Sequence, residues 1–342
     1  MTPSRQYSVA VVGATGAVGT ELLRLLEERN FPLKELRLFA SNRSKGKYLS
    51  FKGRDIPVES LEASRFNGVE IALFSAGASR SLEFVPKATA AGAVVIDNSS
   101  AYRNDSEVPL VVPEINSDAI EGYLKKKIIA NPNCTTVVML MGLYPLHQQA
   151  RIRRIIATSF QAASGAGAAA MEELRQQSER VLRGEEAEPK VFPYPIAFNL
   201  IPHIDQFLET GYTKEEMKLL WETRKILGDP EIEVSATTVR VPVFRAHSVS
   251  IHAEFEKPIT VAEARELLSK ASGVRLRDDP SKKEYPMPIS ASDRDECYVG
   301  RIRPDLFNPK ALNLWVVGDQ LLKGAALNAV QIAERLIAEY LQ

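Results

Sequence analysis

Several things are scarce in this chain, and each scarcity closes off a class of protein. Two cysteines in 342 residues do not make a disulfide framework, so a reducing cytoplasm is the expected setting. Four histidines leave few acid–base candidates. Net charge is missing as well. The 43 Lys+Arg against 43 Asp+Glu give neither a nucleic-acid footprint nor a basic face for a membrane. No apolar run approaches the roughly 20 residues that span a bilayer. A strand starting at residue 7 leaves no room for a signal sequence. Repeats and low-complexity tracts are absent. What is there, 45% hydrophobic and 25% charged residues, is ordinary globular composition, with length for about two domains.

The first part alternates strand and helix. Residues 7–13, 35–40, 69–77 and 93–99 read as apolar strands, with helices over 16–29 and 81–91. Such alternation implies a parallel sheet covered on both faces, with ligands at the carboxyl ends of its strands. From residue 150 the character changes. Strands at 151–163, 233–241, 247–255, 301–303 and 312–317 mix with helices at 168–183, 213–227 and 261–271, and 185–202 is Pro-rich and irregular. This predicts an α+β domain whose sheet offers one face to a partner subunit. A last helix over 325–341 can close either domain.

The first strand and helix are joined by Gly13-Ala-Thr-Gly16-Ala-Val-Gly19. Gly13 allows the tight turn, Gly16 lets backbone approach a pyrophosphate, and Gly19 permits close helix–sheet packing. The spacing is GxxGxxG rather than GxGxxG, so the signal rests on the strand before and the helix after. The plain alternative is a glycine-rich turn without a ligand. An NAD site usually ends its second strand in a carboxylate for the ribose 2′-OH. Here that strand ends Phe39-Ala-Ser41-Asn-Arg43-Ser44-Lys45, with no carboxylate. A guanidinium and two hydroxyls suit a 2′-phosphate, which favours NADP. For Lys45 and Lys47 a solvated basic turn is the simpler account.

In Ile128-Ile129-Ala130-Asn131-Pro132-Asn133-Cys134-Thr135-Thr136, a strand ends and a helix begins at Cys134. A thiolate there is favoured by the free N–H groups and positive end of the helix, so its pKa falls. The alternative is an inert buried cysteine, which fits Cys297. A cysteine nucleophile beside a nicotinamide points to aldehyde–acyl chemistry: a hemithioacetal loses hydride and leaves a thioester. Among the histidines, His147 is a helix-end residue and His203 sits in an Ile/Pro-rich segment. His247 and His252 share a strand but lie on opposite faces. His247, at the strand's mouth, is the better general base, although a satisfied core histidine is as compatible with the period. Arg240 lies seven residues earlier across Pro242, so a bend can aim both at one pocket. Glu215 and Lys218, three apart on a helix, read by spacing alone as a surface ion pair. Arg103 sits at the carboxyl edge of the first sheet, where an anion site would be useful. The turn Gln161-Ala-Ala-Ser164-Gly-Ala-Gly167 can cover a cofactor.

Together the segments GATGAVG, FASNRSKGK, FSAG, DNSSAYR, VPEIN, NPNCTT, QAASGAG, EEMK…ETRKIL, SATTVRVPVFRAHS and GDQLLKGAALNAVQIAE resemble the aspartate-β-semialdehyde dehydrogenase family. The resemblance runs nearly end to end. It implies an α/β fold: a Rossmann-type NADP-binding domain, residues 1–133 with 323–342, plus an α+β catalytic/dimerisation domain, residues 134–322. The implied reaction is reversible: L-aspartate 4-semialdehyde, phosphate and NADP⁺ give L-4-aspartyl phosphate and NADPH, on the route to lysine, methionine and threonine. By matching motif, Cys134 would be the acyl-thioester nucleophile, His247 the acid/base, and Gln161 the residue that orients the substrate. Arg103 would hold the phosphate, and Asn133, next to the nucleophile, would help bind phosphate or the oxyanion. Glu215 would meet the substrate ammonium, Lys218 the phosphate, and Arg240 the substrate carboxylate, a bidentate task suited to guanidinium. Gly13, Thr15, Gly16, Ala17, Val18, Ser41, Arg43, Ser44, Ala76, Gly77, Ser164, Gly165 and Gln320 would line the NADP site. No metal is implied, and the assembly would be a homodimer, in some members a tetramer.

Competing readings are N-acetyl-γ-glutamyl-phosphate reductase, which has no substrate ammonium for Glu215 to meet, and a CoA-thioester reductase, which needs no phosphate site. A redox sensor that binds NADP without turnover would need no Cys–His–Arg–Gln set.

Overall fold

The computed structural model of the chain describes residues 5–63 and 65–341. The chain divides into two compact units, Met1–Asn133 with Ala325–Gln342, and Cys134–Gly324.

Unit 1 is built around β1 (Tyr7–Val12), every residue of which is buried. Helix α1 (Ala17–Glu28) follows, then β2 (Leu33–Ala40), β3 (Tyr48–Phe51), β4 (Arg54–Ser60), β5 (Ile71–Phe74), α2 (Ala78–Ala90), β6 (Val94–Asp97), the short α3 (Pro113–Asn116) and β7 (Ile128–Ala130). They form a seven-stranded sheet in the order β3-β4-β2-β1-β5-β6-β7. All its pairings are parallel except β3 with β4. The order places β1 between β2 and β5, so the loops after these three strands gather at one sheet edge, where open α/β sheets bind ligands. The β3–β4 hairpin is absent from the sequence-based expectation. Its first strand is only four residues and its second carries Arg54, Asp55, Pro57 and Glu59, and its turn is Lys52-Gly53, both with positive φ (49° and 70°), as a type I′ turn requires.

Unit 2 opens with α4 (Cys134–Ala150), whose first ten residues are buried apart from Cys134 itself. A helix apolar all round belongs in a core, and α4 packs against four strands of the unit. The remaining elements are β8 (Ile152–Gln161), α5 (Ala168–Leu182), α6 (Lys214–Leu227), β9 (Glu233–Arg240), β10 (His247–Phe255), α7 (Val261–Lys270), β11 (Val274–Leu276), α8 (Pro288–Ala291), β12 (Cys297–Pro304) and β13 (Ala311–Gly318). The six-stranded sheet runs β11-β12-β13-β10-β8-β9 and is mixed. Expected strand 301–303 is the tail of the longer β12. The β12–β13 register slips between Gly300 and Arg303, and Arg301 has φ 53°, which hides the alternation. The Pro-rich segment 185–202 has no regular structure. It is fixed to α5 by buried Glu173 and Gln177, which accept main-chain N–H groups of Lys190, Val191, Ile196 and Ala197. The chain then returns to unit 1 in α9 (Leu327–Glu339).

Candidate active site

In unit 1 the turn after β1 is shaped by what cannot fit. Gly13 has φ 88°, and a Cβ there would lie 2.3 Å from the Ser75 carbonyl oxygen. A Cβ on Gly19 would lie 2.1 Å from the Gly13 carbonyl oxygen. Only glycine lets these three stretches of backbone close up. Helix α1 receives no side-chain hydrogen bond from its N-cap, Gly16, so its first N–H groups are available to an anion. Thr15, Ala17 and Val18 belong to the same turn and helix start. Ser41, Arg43 and Ser44 lie in the short 3-10 turn after β2. The hydroxyls of Thr15 and Ser44 stand 3.2 Å apart, joining the two loops. Ala76 and Gly77 follow β5, with Gly77 (φ 85°) as N-cap of α2. This cradle of backbone N–H groups, with exposed Arg43 in the adjoining turn, fits a dinucleotide, and these residues would hold its pyrophosphate and ribose.

Arg103 is buried, donating to the carbonyls of Asn131 (2.9 Å) and Asn98 (2.8 Å). Nearby Asp97 accepts from Ser81 (2.8 Å) and Ser99 (2.7 Å). Burial holds the Asp97 carboxyl above its ordinary value, against the pull of those hydroxyls and of Arg103. Asn133, also buried, ends unit 1 one residue before the cysteine.

In unit 2, strand direction brings distant residues to one end of the sheet. Parallel β8 and β9 finish in register at Gln161 and Arg240. Antiparallel β10 begins there, with His247 opposite Gly318 at the end of β13. Arg240 is 6% exposed, donates to the Ala162 carbonyl (2.7 Å) and lies over the Phe192 ring at 5.6 Å. Burial lowers its pKa, while Glu215 and Cys134 work the other way. His247 is fully buried, and its Nδ1 accepts the Ala162 N–H at 3.1 Å. Burial, then the charge of Arg240, push it well below the ordinary histidine range. A Cβ on Gly165 would meet Arg240 at 2.9 Å and the His247 ring at 3.0 and 3.1 Å. Both side chains therefore face the same small volume.

Glu215 corrects the spacing-only reading of a surface pair, because it is 6% exposed. It accepts from Gln161 (3.2 Å) and Lys218 (3.0 Å), and Lys218 also bridges Asp205 at 2.8 Å. Burial alone would lower the Lys218 pKa, but the two carboxylates outweigh it and hold it above the ordinary value. The helix carrying this pair is fixed by a capping box, Thr213 with Glu216, a device worth about 1 kcal/mol.

The comparisons with known proteins agree on one family. The family described as semialdehyde dehydrogenase, NAD binding domain, matches residues 8–123. The semialdehyde dehydrogenase dimerisation domain matches residues 143–323. An aspartate-semialdehyde dehydrogenase of Aquifex aeolicus is 55% identical over 336 residues, 97% of this chain and 98% of its own length. The chain belongs to the aspartate-semialdehyde dehydrogenase family. A Synechocystis member is 52% identical, over 96% of this chain and 97% of its own. The crystal structure of a Vibrio cholerae enzyme complexed with ASA superposes with TM-score 0.96 at 47% identity, covering 98% of this chain and all of that one. A Candida albicans enzyme solved with NADP gives TM-score 0.75 at 25% identity, covering 97% and 98%. As a member the protein is an oxidoreductase of amino-acid biosynthesis that uses a nicotinamide dinucleotide.

The residues inferred for the family's cofactor fall in both units. Ser164, Gly165 and Gln320 belong to unit 2, where Gln320 donates to the Ser164 hydroxyl and accepts the Ala246 N–H at 2.9 Å. His147 and His252 are structural: His147 accepts the Ile152 N–H (3.1 Å), and His252 is hydrogen-bonded to Asn313 (3.2 Å). His203 stacks on Phe207 at 4.4 Å. Sequence reasoning missed the ion pair of half-buried Arg245 with buried Asp319 (2.5 Å), which flanks Ala246 and Gln320. It also missed the Ala162 peptide, for which no side-chain signal exists. No helix among the described residues is long and apolar enough to cross a membrane.

Proposed function

We propose that the protein interconverts L-4-aspartyl phosphate and L-aspartate 4-semialdehyde, releasing or taking up phosphate, with NADP as its nicotinamide cofactor. The observation that carries this reading is the set Gln161, Arg240, His247 and Glu215 gathered at one sheet end, a set matched to a small amino acid with both charges. Arg240 spends one N–H on the Ala162 carbonyl and keeps others for a carboxylate. Glu215, already oriented by Gln161 and Lys218, receives the ammonium. Lys218, Arg103 and Asn133 serve the phosphate.

Cys134, first residue of α4, is the nucleophile. The helix N-terminus and Arg240, whose charge interacts with it, favour its thiolate. Its sulfur attacks the acyl carbon, phosphate departs, and a thioester remains. The bound nicotinamide supplies the hydride that reduces this thioester. Gln161 orients the substrate, and His247 serves the carbonyl oxygen as the hemithioacetal on Cys134 collapses. Arg43 at the rim of the cradle meets the 2′-phosphate, the basis for NADP over NAD. Residues 1–133 with 323–342 are the nucleotide-binding domain. Residues 134–322 catalyse and dimerise through the open face of their sheet, which carries Ile156 and the Phe160–Trp315 ring pair.

The test is NADPH formation from L-aspartate 4-semialdehyde with and without phosphate, on wild type and Cys134→Ala. Phosphate-dependent turnover lost in the variant is expected. Activity only with N-acetylglutamate 5-semialdehyde would overturn the substrate assignment.

A further inference from the structure

Lys218 stands between two carboxylates, and only one of them belongs to the proposed substrate set. Its Nζ donates to Glu215 Oε2 at 3.0 Å and to Asp205 Oδ2 at 2.8 Å. An ammonium has three N–H groups, so one is left for a phosphate. With Lys218 alone beside it, buried Glu215 would be neutralised, and an arriving substrate ammonium would meet an ion pair of no net charge. Asp205 changes that sum. Two carboxylates against one lysine leave a single negative charge, which is what one ammonium cancels.

The Asp205 carboxylate is held in place for this. Its segment is pinned on both sides. Ile201 and Arg240 exchange main-chain hydrogen bonds at 3.0 and 2.8 Å, and Phe207 bridges Thr213, the N-cap of α6. Asp205 thus lies between the strand end that carries Arg240 and the helix that carries Glu215 and Lys218. It has φ 70°, a left-handed conformation in which Asp is among the tolerated residues. There Oδ1 accepts the Gln206 N–H at 2.8 Å, and the Gln206 carbonyl accepts the Lys214 N–H at 2.8 Å. One carboxylate oxygen is tied to the backbone, and the other is turned on Lys218. Burial alone would raise the Asp205 pKa, but Lys218, the Gln206 N–H and Lys214 outweigh it and hold the carboxyl below its ordinary range. Its charge is therefore present at neutral pH. In an ordinary surface pair two long side chains meet in water and gain little. Here the lysine side chain is only 20% exposed and that of Asp205 32%.

We propose that Asp205 is a positioning residue for the substrate's α-amino group: it takes up the charge of Lys218, leaves that of Glu215 uncancelled, and thereby selects a free ammonium over an acylated or absent amino group. This rests on the reading of Glu215 as the group that meets the ammonium. Asp205 acts through Lys218 and on the second substrate its effect is opposite, since its charge offsets part of the attraction of Lys218 for phosphate. Removing that charge weakens the amino acid and not the phosphate, a split that no general loosening of the site produces.

The test is steady-state kinetics of Asp205→Asn in the direction of NADPH formation, with the unfolding temperature read alongside. Asparagine keeps an acceptor for the Gln206 N–H and loses only the charge. KM for L-aspartate 4-semialdehyde should rise about five- to tenfold with kcat within about twofold, while KM for phosphate stays level or falls. Asp205→Gly is the second variant, because glycine takes a positive φ without strain, and it should show the same split. An unchanged KM for the semialdehyde in both variants overturns the proposal. So does a parallel rise of both KM values, the mark of a loosened site. Glu215→Gln, run beside them, separates this inference from the reading beneath it. If Glu215→Gln raises the semialdehyde KM and neither Asp205 variant does, only the role of Asp205 fails. If Glu215→Gln leaves that KM unchanged, the ammonium assignment of Glu215 fails as well.

Discussion

Around the turn at 13–19 the atoms proposed to bind are backbone, and the residues matter for the side chains they lack. At the end of the unit 2 sheet the proposed site is made of charged or polar side chains, almost all buried and each held by another. A backbone cradle tolerates no addition: a single methyl at Gly13 or Gly19 would collide with a carbonyl oxygen closer than 2.5 Å away. The side-chain cluster suffers from subtraction, because removing Glu215 takes an acceptor from both Gln161 and Lys218 and leaves Lys218 with Asp205. The contrast follows from the ligands each suits. A pyrophosphate is recognised by many N–H groups at short range, whereas a zwitterionic substrate needs one group of each sign at fixed separation.

The largest effect expected on the side-chain half is from Cys134→Ala. Turnover should fall by roughly 10⁴-fold or more, with nicotinamide affinity near wild type by fluorescence titration. Substantial residual turnover would break the covalent account. On the backbone half, Gly19→Ala should weaken nicotinamide binding by about 100-fold, from overpacking of order 1–3 kcal/mol, yet leave Cys134 alkylation rates unchanged. Normal cofactor affinity in that variant would end the claim that backbone closure makes the cradle. Glu215→Gln keeps the shape and removes the charge. KM for the semialdehyde should rise some tens-fold with a smaller change in kcat, as expected when a buried charge pair loses one partner. Arg43→Ala should weaken NADP by about tenfold and NAD hardly at all; equal losses would refute its assignment to the 2′-phosphate.

The smallest effect is on stability. Burial lowers the pKa of His147 and His247, so the unfolded chain takes up protons before the folded one does. Their contribution is fully present above the ordinary histidine pKa and is lost as pH falls below it, at up to about 1.4 kcal/mol per pH unit for the buried His247 ring and less for the half-buried His147. Urea unfolding at neutral and mildly acidic pH should show a smaller acid loss in His247→Gln than in wild type.

Legibility in the sequence followed the same divide. The cradle can be read because Gly13, Gly16 and Gly19 are contiguous with the strand and helix that give them meaning. Cys134 can be read because a helix start leaves a local mark. Among the other proposed site residues, Gln161, Arg240 and His247 meet through the register of β8, β9 and β10, and Glu215 joins them from α6, which no spacing along the chain encodes. Period left His247 equally a core residue, and spacing made Glu215–Lys218 a surface pair until tertiary packing buried it. Motif resemblance named these residues where physics along the chain could not. The Ala162 peptide was beyond reach altogether, since a main-chain group leaves no letter to read.

Gly324 carries one more consequence. A Cβ there would lie 2.7 Å from Cβ of Cys134, and these two residues are the first and last of unit 2. Within unit 1, Asn131 donates to the Ala325 carbonyl at 3.4 Å, so the flanks of the break touch as well. The chain thus enters and leaves unit 2 at neighbouring residues, the arrangement under which one domain's sequence can be inserted into another's. Cys134, the proposed nucleophile, is the first residue of that insertion, so the point where the inserted sequence begins is also the residue proposed to do its chemistry.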